Sequence, residues 1–212
     1  DETFFNRPFW YRTEFKLPAS YKDGKRVWLH FDNTNRYADF YFNGVKISGT
    51  KTSSRDVSGH MLRSKFDVTP LLNKSGKNAI AVLITDPDQK KMRKAKDPYG
   101  VACSPSYLAG AGWAWMPYIP GRLAGITGNA YLSITGDAIM EDPWVRSDLP
   151  TLQKAELSVS SIIKNASSSP KNVVLTVLIH PGNINFSKNI QVEGNSTAQL
   201  SVNKNDFAQM LI

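Results

Sequence analysis

The chain is poor in the residues that staple or metallate a small protein. Its 212 residues include one cysteine, Cys103, and three scattered histidines, His30, His60 and His180. One thiol excludes an internal disulfide framework. One thiol with three dispersed imidazoles gives no basis for a structural zinc site. Cys103 as a nucleophile needs a neighbouring histidine that the sequence does not display, so it reads as a small residue in a loop. Asp86, Asp88 and Asp97 lack the spacing of a calcium loop and read as solvated charges. No metal and no cofactor is expected. No apolar run approaches the ~18 residues of a membrane span. The chain opens at Asp1-Glu2 without a signal peptide, as a trimmed product would, which leaves the compartment open.

Charge is lopsided but not patterned. Lys and Arg total 26 against 18 Asp and Glu, a net charge of +8. The densest basic run, Lys90 to Lys96, is a single loop and not a face repeated along the chain, so it reads as solvated. Nucleic acid is not an expected partner; a heparin- or nucleic-acid-binding surface there is the weaker reading.

Long helical periodicity is also missing up to Thr135. The chain offers short alternating runs separated by turn residues. Phe9–Leu17, Val27–Asp32, Tyr37–Phe42, Ser64–Val68 and Gly128–Thr135 read as strands. Ala79–Ile84 is a nearly continuous apolar run, as for a strand covered on both faces. Asn43-Gly44 between Tyr37–Phe42 and Val45–Ile47 is a hairpin signal, because a type I′ turn needs positive φ at both central residues. His30 falls off the face shared by Val27, Leu29 and Phe31 and reads as packing or surface. Thr69–Leu72 reads as a short turn, Lys51–Gly59 as polar loop, and Asp86–Gly112 as a long segment without period.

Gly136–Pro150 changes character, and Asp142–Pro150 reads as a link with a short extended piece. Beyond it aromatics nearly vanish. Strands are readable at Ala155–Ile163, Val173–Ile179, Asn189–Val192 and Ala198–Val202. Four or five strands over about 60 residues fall short of the ~7 strands and ~100 residues of an immunoglobulin-like sandwich. The expectation is an incomplete sandwich, hence a fragment with an open edge or core.

The richest stretch is Gly112 to Arg122, which packs Trp113, Trp115, Met116, Pro117, Tyr118 and Pro120 into a few residues. Aromatics held by Pro and Gly beside a strand make either a surface for a flat ligand or a plug capping a sandwich. The chemistry of the stretch admits both.

Several segments together resemble glycoside hydrolase family 2, which includes β-galactosidases, β-mannosidases, β-glucuronidases and exo-β-glucosaminidases. They are Phe9–Phe15, Val27–Asp32, Ala38–Gly44, Phe66–Leu72, Gly76–Val82 and Gly125–Leu132, all similar to the N-terminal sugar-binding domain of that family. Asp142-Pro143-Trp144-Val145 onward resembles its immunoglobulin-like domain. The resemblance implies an all-β chain: a galactose-binding-like jelly roll over 1–140 and an immunoglobulin-like sandwich, incomplete, over 141–212. It further implies a (β/α)8 barrel carrying two catalytic Glu elsewhere in the protein. Nothing in this chain matches those barrel motifs, so no catalytic residue is assigned.

In several members of the family a Trp-Asp-Trp triplet supplies a carboxylate to sugar hydroxyls. Here the triplet is Trp113-Ala114-Trp115, and Ala114 accepts no hydrogen bond through its side chain. Thr127 and Asn129 stand where the following segment usually has Trp and Asp. Trp113, Trp115, Tyr118 and Arg122 remain the candidate substrate contacts; Arg122 reads more readily as a salt-bridge partner at a domain junction. His60 and Arg63 are weaker candidates for the same rim. The expected partners are a β-linked glycoside and the protein's own barrel, in the periplasm or outside the cell. The rival is a stand-alone carbohydrate-binding module with no enzyme activity.

Overall fold

The computed structural model describes residues 8–49, 57–85, 125–180 and 183–211; for Arg36, residues 57–60 and Gln209 it describes the backbone alone. The chain divides into two compact units, Asp1–Ile134 and Thr135–Ile212. The first holds β1 (Phe9–Lys16), β2 (Arg26–Phe42), β3 (Val45–Lys46), β4 (Val57–Asp67), β5 (Lys77–Thr85), β6 (Gly125–Ile126) and β7 (Ala130–Thr135). The second holds β8 (Ala138–Thr151), β9 (Lys154–Asn165), β10 (Lys171–Ile179), β11 (Ile184–Val192) and β12 (Ser196–Asn203). Two 3-10 turns, Thr69–Leu71 and Ala208–Met210, are the only helical pieces among the described residues. None is long enough to cross a membrane. The fold is all-β and antiparallel.

The first unit is organised around β2. The two runs expected as separate strands, Val27–Asp32 and Tyr37–Phe42, form one 17-residue strand. It pairs with β3, β4, β5, β6 and β7. Its ladder with β4 slips twice, between Phe31 and Thr34 and between Thr34 and Arg36. At the first slip β2 carries one extra residue, since Phe31 faces Ser64 and Thr34 faces Leu62. At the second the extra residue is on β4, where Met61 takes φ +49. A one-residue insertion bends a strand and flips which side chains face inward. Before the bend the odd residues Val27, Leu29 and Phe31 enter the core; after it the even residues Ala38, Phe40 and Phe42 do. All six join one cluster with Phe66, Val68, Val82 and Ile84. Phe40 stands 4.5 Å from Phe31 and 5.0 Å from Phe66, ring centroid to centroid, so the two halves of β2 face each other across the core.

Asn43 and Gly44 take φ +48 and +81, the pair of left-handed residues a type I′ turn requires. The Asn43 side chain does more than turn the chain. Its amide donates to the Leu71 carbonyl at 2.7 Å and to Asn78 Oδ1 at 2.9 Å, and its oxygen accepts from the Ala79 N–H at 2.7 Å. Asn78 is fully buried; its oxygen also accepts from Asn73 N–H, and its amide donates to the Asn73 carbonyl. The pair ties the β2–β3 hairpin to the 3-10 turn and to the start of β5.

In the second unit β12-β9-β8 forms one sheet and β10-β11 the other. Ile163 and Leu200 of the first sheet share a core with Val192, Val173, Leu175 and Ile190 of the second. Asp142–Pro150, expected as a link, lies within β8, a 14-residue strand. Pro143 falls in the ladder irregularity between Glu141 and Trp144, and Pro150 in that between Asp148 and Thr151. β8 is also the edge of its sheet, where a missing N–H costs no ladder bond. Asn165, fully buried, donates to the carbonyls of Ser169, Val192 and Glu193 and accepts from the N–H and hydroxyl of Ser167.

Asn78→Ala should cost about 2 kcal/mol or more, because the Asn43 amide and the Asn73 N–H and carbonyl then lose buried partners; urea unfolding measures it, and an unchanged midpoint refutes the role assigned to the network. A second expectation concerns acid. Asp206 accepts from Lys188 Nζ at 2.8 Å and from the Asn203 N–H, which together hold its carboxyl below the ordinary range, the lysine most strongly. A depressed folded value contributes stability that is complete above the unfolded value of about 3.9. That contribution is lost as pH falls through the lower folded value. Asp206→Asn should therefore destabilise at neutral pH and approach wild type in strong acid, as read by denaturant midpoints across a pH series.

Candidate functional site

The bend in β2 sets where segments 50–56 and 86–124 leave the sheet. Tyr37 faces Ser58 of β4 on one side and Thr85 of β5 on the other. Ala38 likewise faces Val57 and Ile84. On the β5 edge, Thr85 lies opposite Tyr37 and Gly125 opposite Asn35. Segment 86–124 thus departs and returns two residues apart on β2, about 7 Å at a strand rise of ~3.3 Å. On the other edge, Ser48 receives the Phe40 N–H on its hydroxyl at 3.0 Å, and β4 begins at Val57 opposite Ala38. Segment 50–56 therefore also leaves and returns within two residues of β2. Both excursions are rooted on residues 35–40 of one strand.

The root is firm. Thr34 and Asn35 are buried, at 0% and 1% exposure. Consecutive buried residues mark the point where the strand changes face. The Thr34 hydroxyl has no hydrogen-bond partner among the described residues. Gly125 re-enters the sheet at φ +132, and a Cβ built on it would stand 2.7 Å from the Tyr11 hydroxyl. Thr127 and Gly128 donate their N–H groups to the Asn33 carbonyl. A Cβ on Gly128 would lie 2.8 Å from the Asn33 nitrogen, so this close approach needs glycine. Asn129 donates to Asp32 at 3.3 Å, and the Asp32 N–H donates to the Asn129 carbonyl at 2.9 Å.

Trp113, Trp115, Tyr118 and Arg122 lie outside the described residues, as do Ala114, Cys103, the Lys90–Lys96 run and the three aspartates Asp86, Asp88 and Asp97. What the structure gives is the pair of anchors, Thr85 and Gly125, between which they are carried. Arg63 sits exposed in β4, in a strand that starts at Val57 rather than at Ser64; the backbone of His60 is in the same strand. Thr127 is exposed, and Asn129 is engaged with Asp32. His30 stacks on Tyr131, with ring centroids 4.6 Å apart and planes at 4°, and pairs with the Ser133 hydroxyl at 2.7 Å. That is the packing role expected for a residue off the apolar phase. Among the described residues, no three His, Cys, Asp or Glu side chains gather as metal ligands.

One group was not singled out from the sequence. Trp10 and Tyr41 meet at 5.5 Å on the outer face of β1, β5 and β2. Their signal was available, since each stands out of phase with its inward neighbours, Phe9 and Phe15, or Phe40 and Phe42.

The first unit is all-β, and segments 50–56 and 86–124 are both anchored at one end of the bent strand β2. The chain belongs to the glycosyl hydrolase 2 galactose-binding domain-like family, whose model matches residues 2–128. It is 28% identical over 178 residues to a mannosylglycoprotein endo-beta-mannosidase of Lilium longiflorum, covering 81% of this chain and 18% of the relative. It is 25% identical over 174 residues to a beta-galactosidase of Thermoanaerobacter pseudethanolicus, covering 82% and 20%. Among solved structures, an exo-chitosanase of Amycolatopsis orientalis superposes with a TM-score of 0.73 at 20% identity, covering 94% of this chain and 21% of that one. A beta-glucuronidase of Bacteroides uniformis gives 0.66 at 18% identity, covering 92% and 21%. The chain thus spans only 18–20% of the length of these two curated relatives.

Gly125→Ala should destabilise the first unit by about 2 kcal/mol or more, through both the left-handed backbone and the collision with Tyr11. Adding Tyr11→Phe removes the nearest atom but not the backbone strain, so the double variant should recover only part of the loss in a thermal melt. Full recovery would show that backbone conformation at the root is not constrained.

Proposed function

We propose that this chain is the non-catalytic N-terminal part of a glycoside hydrolase family 2 enzyme that cleaves terminal β-glycosidic bonds, acting in the periplasm or outside the cell. The observation that carries the reading is the reach of the likeness. Relatives named as glycosidases match over 81% and 82% of this chain, yet it spans only 18% and 20% of them. Retaining hydrolysis needs two carboxylates ~5–5.5 Å apart across the sugar, and these belong to a barrel elsewhere in the polypeptide. In this reading the first unit is a galactose-binding-like jelly roll. Segment 86–124 lends Trp113, Trp115, Tyr118 and Arg122 to the rim of the barrel, the tryptophans offering their apolar faces to the sugar.

The second unit is read as the family's immunoglobulin-like domain, with five strands among its described residues against the ~7 of a full sandwich. Its exposed apolar side chains support a cover supplied by the rest of the protein. Leu149 and Leu152 of the β8–β9 hairpin are 71% and 96% exposed, and Trp144 is 60% exposed. Such a run on an edge strand is a liability unless something covers it.

The gene read beyond the codon for Ile212 should encode a (β/α)8 barrel with two catalytic Glu. If none follows, the stand-alone binding module is the reading that survives. In the intact enzyme, Trp113→Ala and Trp115→Ala should each lower kcat/KM by about tenfold or more while leaving the melting temperature in place. A fall in melting temperature with kcat/KM unchanged would identify a plug instead of a rim.

A further inference from the structure

The outer face of β1, β5 and β2 is a built platform. Strand alternation puts Trp10, Arg12 and Glu14 of β1 on this face. Their ladder partners on β5 are Leu83, Ala81 and Ala79. Asp39 and Tyr41 of β2 face Leu83 and Ala81 from the other side. Trp10 is 59% exposed. Its ring and that of Tyr41 meet at 5.5 Å across the intervening β5, inclined at 49°. Beside them Ala81 and Ala79 keep the middle strand low, so the face has an aromatic end wall and a shallow floor. From Trp10 to Glu14 it runs about 13 Å, enough for a di- or trisaccharide.

The charges on this face are largely neutralised within it. Glu14 takes Arg12 Nη2 at 2.8 Å and Lys77 Nζ at 3.2 Å. Lys46 Nζ takes Asp39 at 2.7 Å. The lysine and arginine contacts hold the Glu14 carboxyl below its ordinary range, Lys77 contributing most, so it stays ionised in mild acid. Paired groups of this kind keep spare donors and lone pairs for hydroxyls while presenting little net field. A polyanion would meet carboxylates here, and an apolar helix would meet charges along the trough. A neutral polyhydroxyl with one flat apolar face meets neither obstacle.

We infer that the Trp10–Tyr41 face is a second carbohydrate site, which takes neutral β-linked oligosaccharides by stacking a pyranose on Trp10 and hydrogen-bonding its neighbours to the Arg12–Glu14 and Asp39–Lys46 pairs. The choice of ligand class rests on the glycosidase reading above; the location does not. Trp10 and Tyr41 belong to β1 and β2, not to segment 86–124.

The test is calorimetric titration of this chain with β-1,4-linked mannotetraose and cellotetraose. Saturable binding to at least one is expected. Trp10→Ala and Tyr41→Ala should each weaken it by about tenfold, whereas Trp113→Ala should leave it unchanged. Ala81→Arg provides a variant that keeps both rings and fills the floor; it too should abolish binding, with a circular dichroism spectrum like that of wild type. Binding should be nearly independent of salt. Absence of saturable binding overturns the inference, as does binding that survives both Trp10→Ala and Ala81→Arg. Binding lost in Trp113→Ala alone overturns it while supporting the rim. Protection of residues 9–14 from hydrogen exchange in an intact, barrel-containing enzyme, relative to this chain, would make the face a domain interface and overturns it as well. None of these failures bears on whether a barrel follows Ile212.

Discussion

The first unit depends on one constraint: a single strand must present opposite faces to the same core in its two halves. A strand of strict period two cannot do so. The extra residue in β2 between Phe31 and Thr34 inverts its phase, and the compensating residue in β4 near Met61 restores the pairing. Without the inversion, Phe40 and Phe42 would point away from Phe31 and Phe66. Two aromatic side chains that are now wholly buried would face outward. Fully burying such a side chain is worth about 1.5–3 kcal/mol, so the phase change carries a sizeable part of the stability of the unit. The same bend gathers the ends of β4, β5 and β6 on residues 34–38, which makes the root of the excursions a by-product of the core.

Buried asparagine secures the corners in both units. Asn78 and Asn165 are each at 0% exposure, and each joins turns distant in sequence. Asparagine suits this task because one side chain both donates and accepts, so it can satisfy an orphaned carbonyl and an orphaned N–H together without burying a charge. Asn165 holds the turn at Ser167–Ser169 against the end of β11. Gly194 packs there so closely that a Cβ would lie 2.2 Å from the Ser168 carbonyl oxygen. These corners let short turns stay rigid in a chain with no disulfide.

Much of this was legible in sequence. Alternation located the strands and their inward faces, and Asn43-Gly44 specified its hairpin. The join inside β2 was not legible, because Asp32-Asn33-Thr34-Asn35-Arg36 has the composition of a loop. Only the switch from odd to even apolar positions hinted that an inserted residue, and not a break, separates the two runs. Pro143 and Pro150 made β8 look like a link for a similar reason: proline argues against a strand unless it falls at an edge or a bulge, and here it does both. The four aromatic and basic candidates of segment 112–122 were named from composition and family likeness, and the described residues reach only to their anchors. Trp10 and Tyr41 were legible as outward residues, but their approach across β5 is a tertiary fact that no local pattern carries.

The anchors show how one frame can carry different segments. Residues 35–40 of β2 are held by ladders on both edges, so what leaves from them can change in length or composition while the ladder partners stay. Closing a longer excursion between fixed ends costs only about 0.6 kcal/mol for each doubling of length. The frame tolerates that. The core of Phe31, Phe40 and Phe66 is built from the strands themselves. The sheet determines where segments 50–56 and 86–124 begin and end.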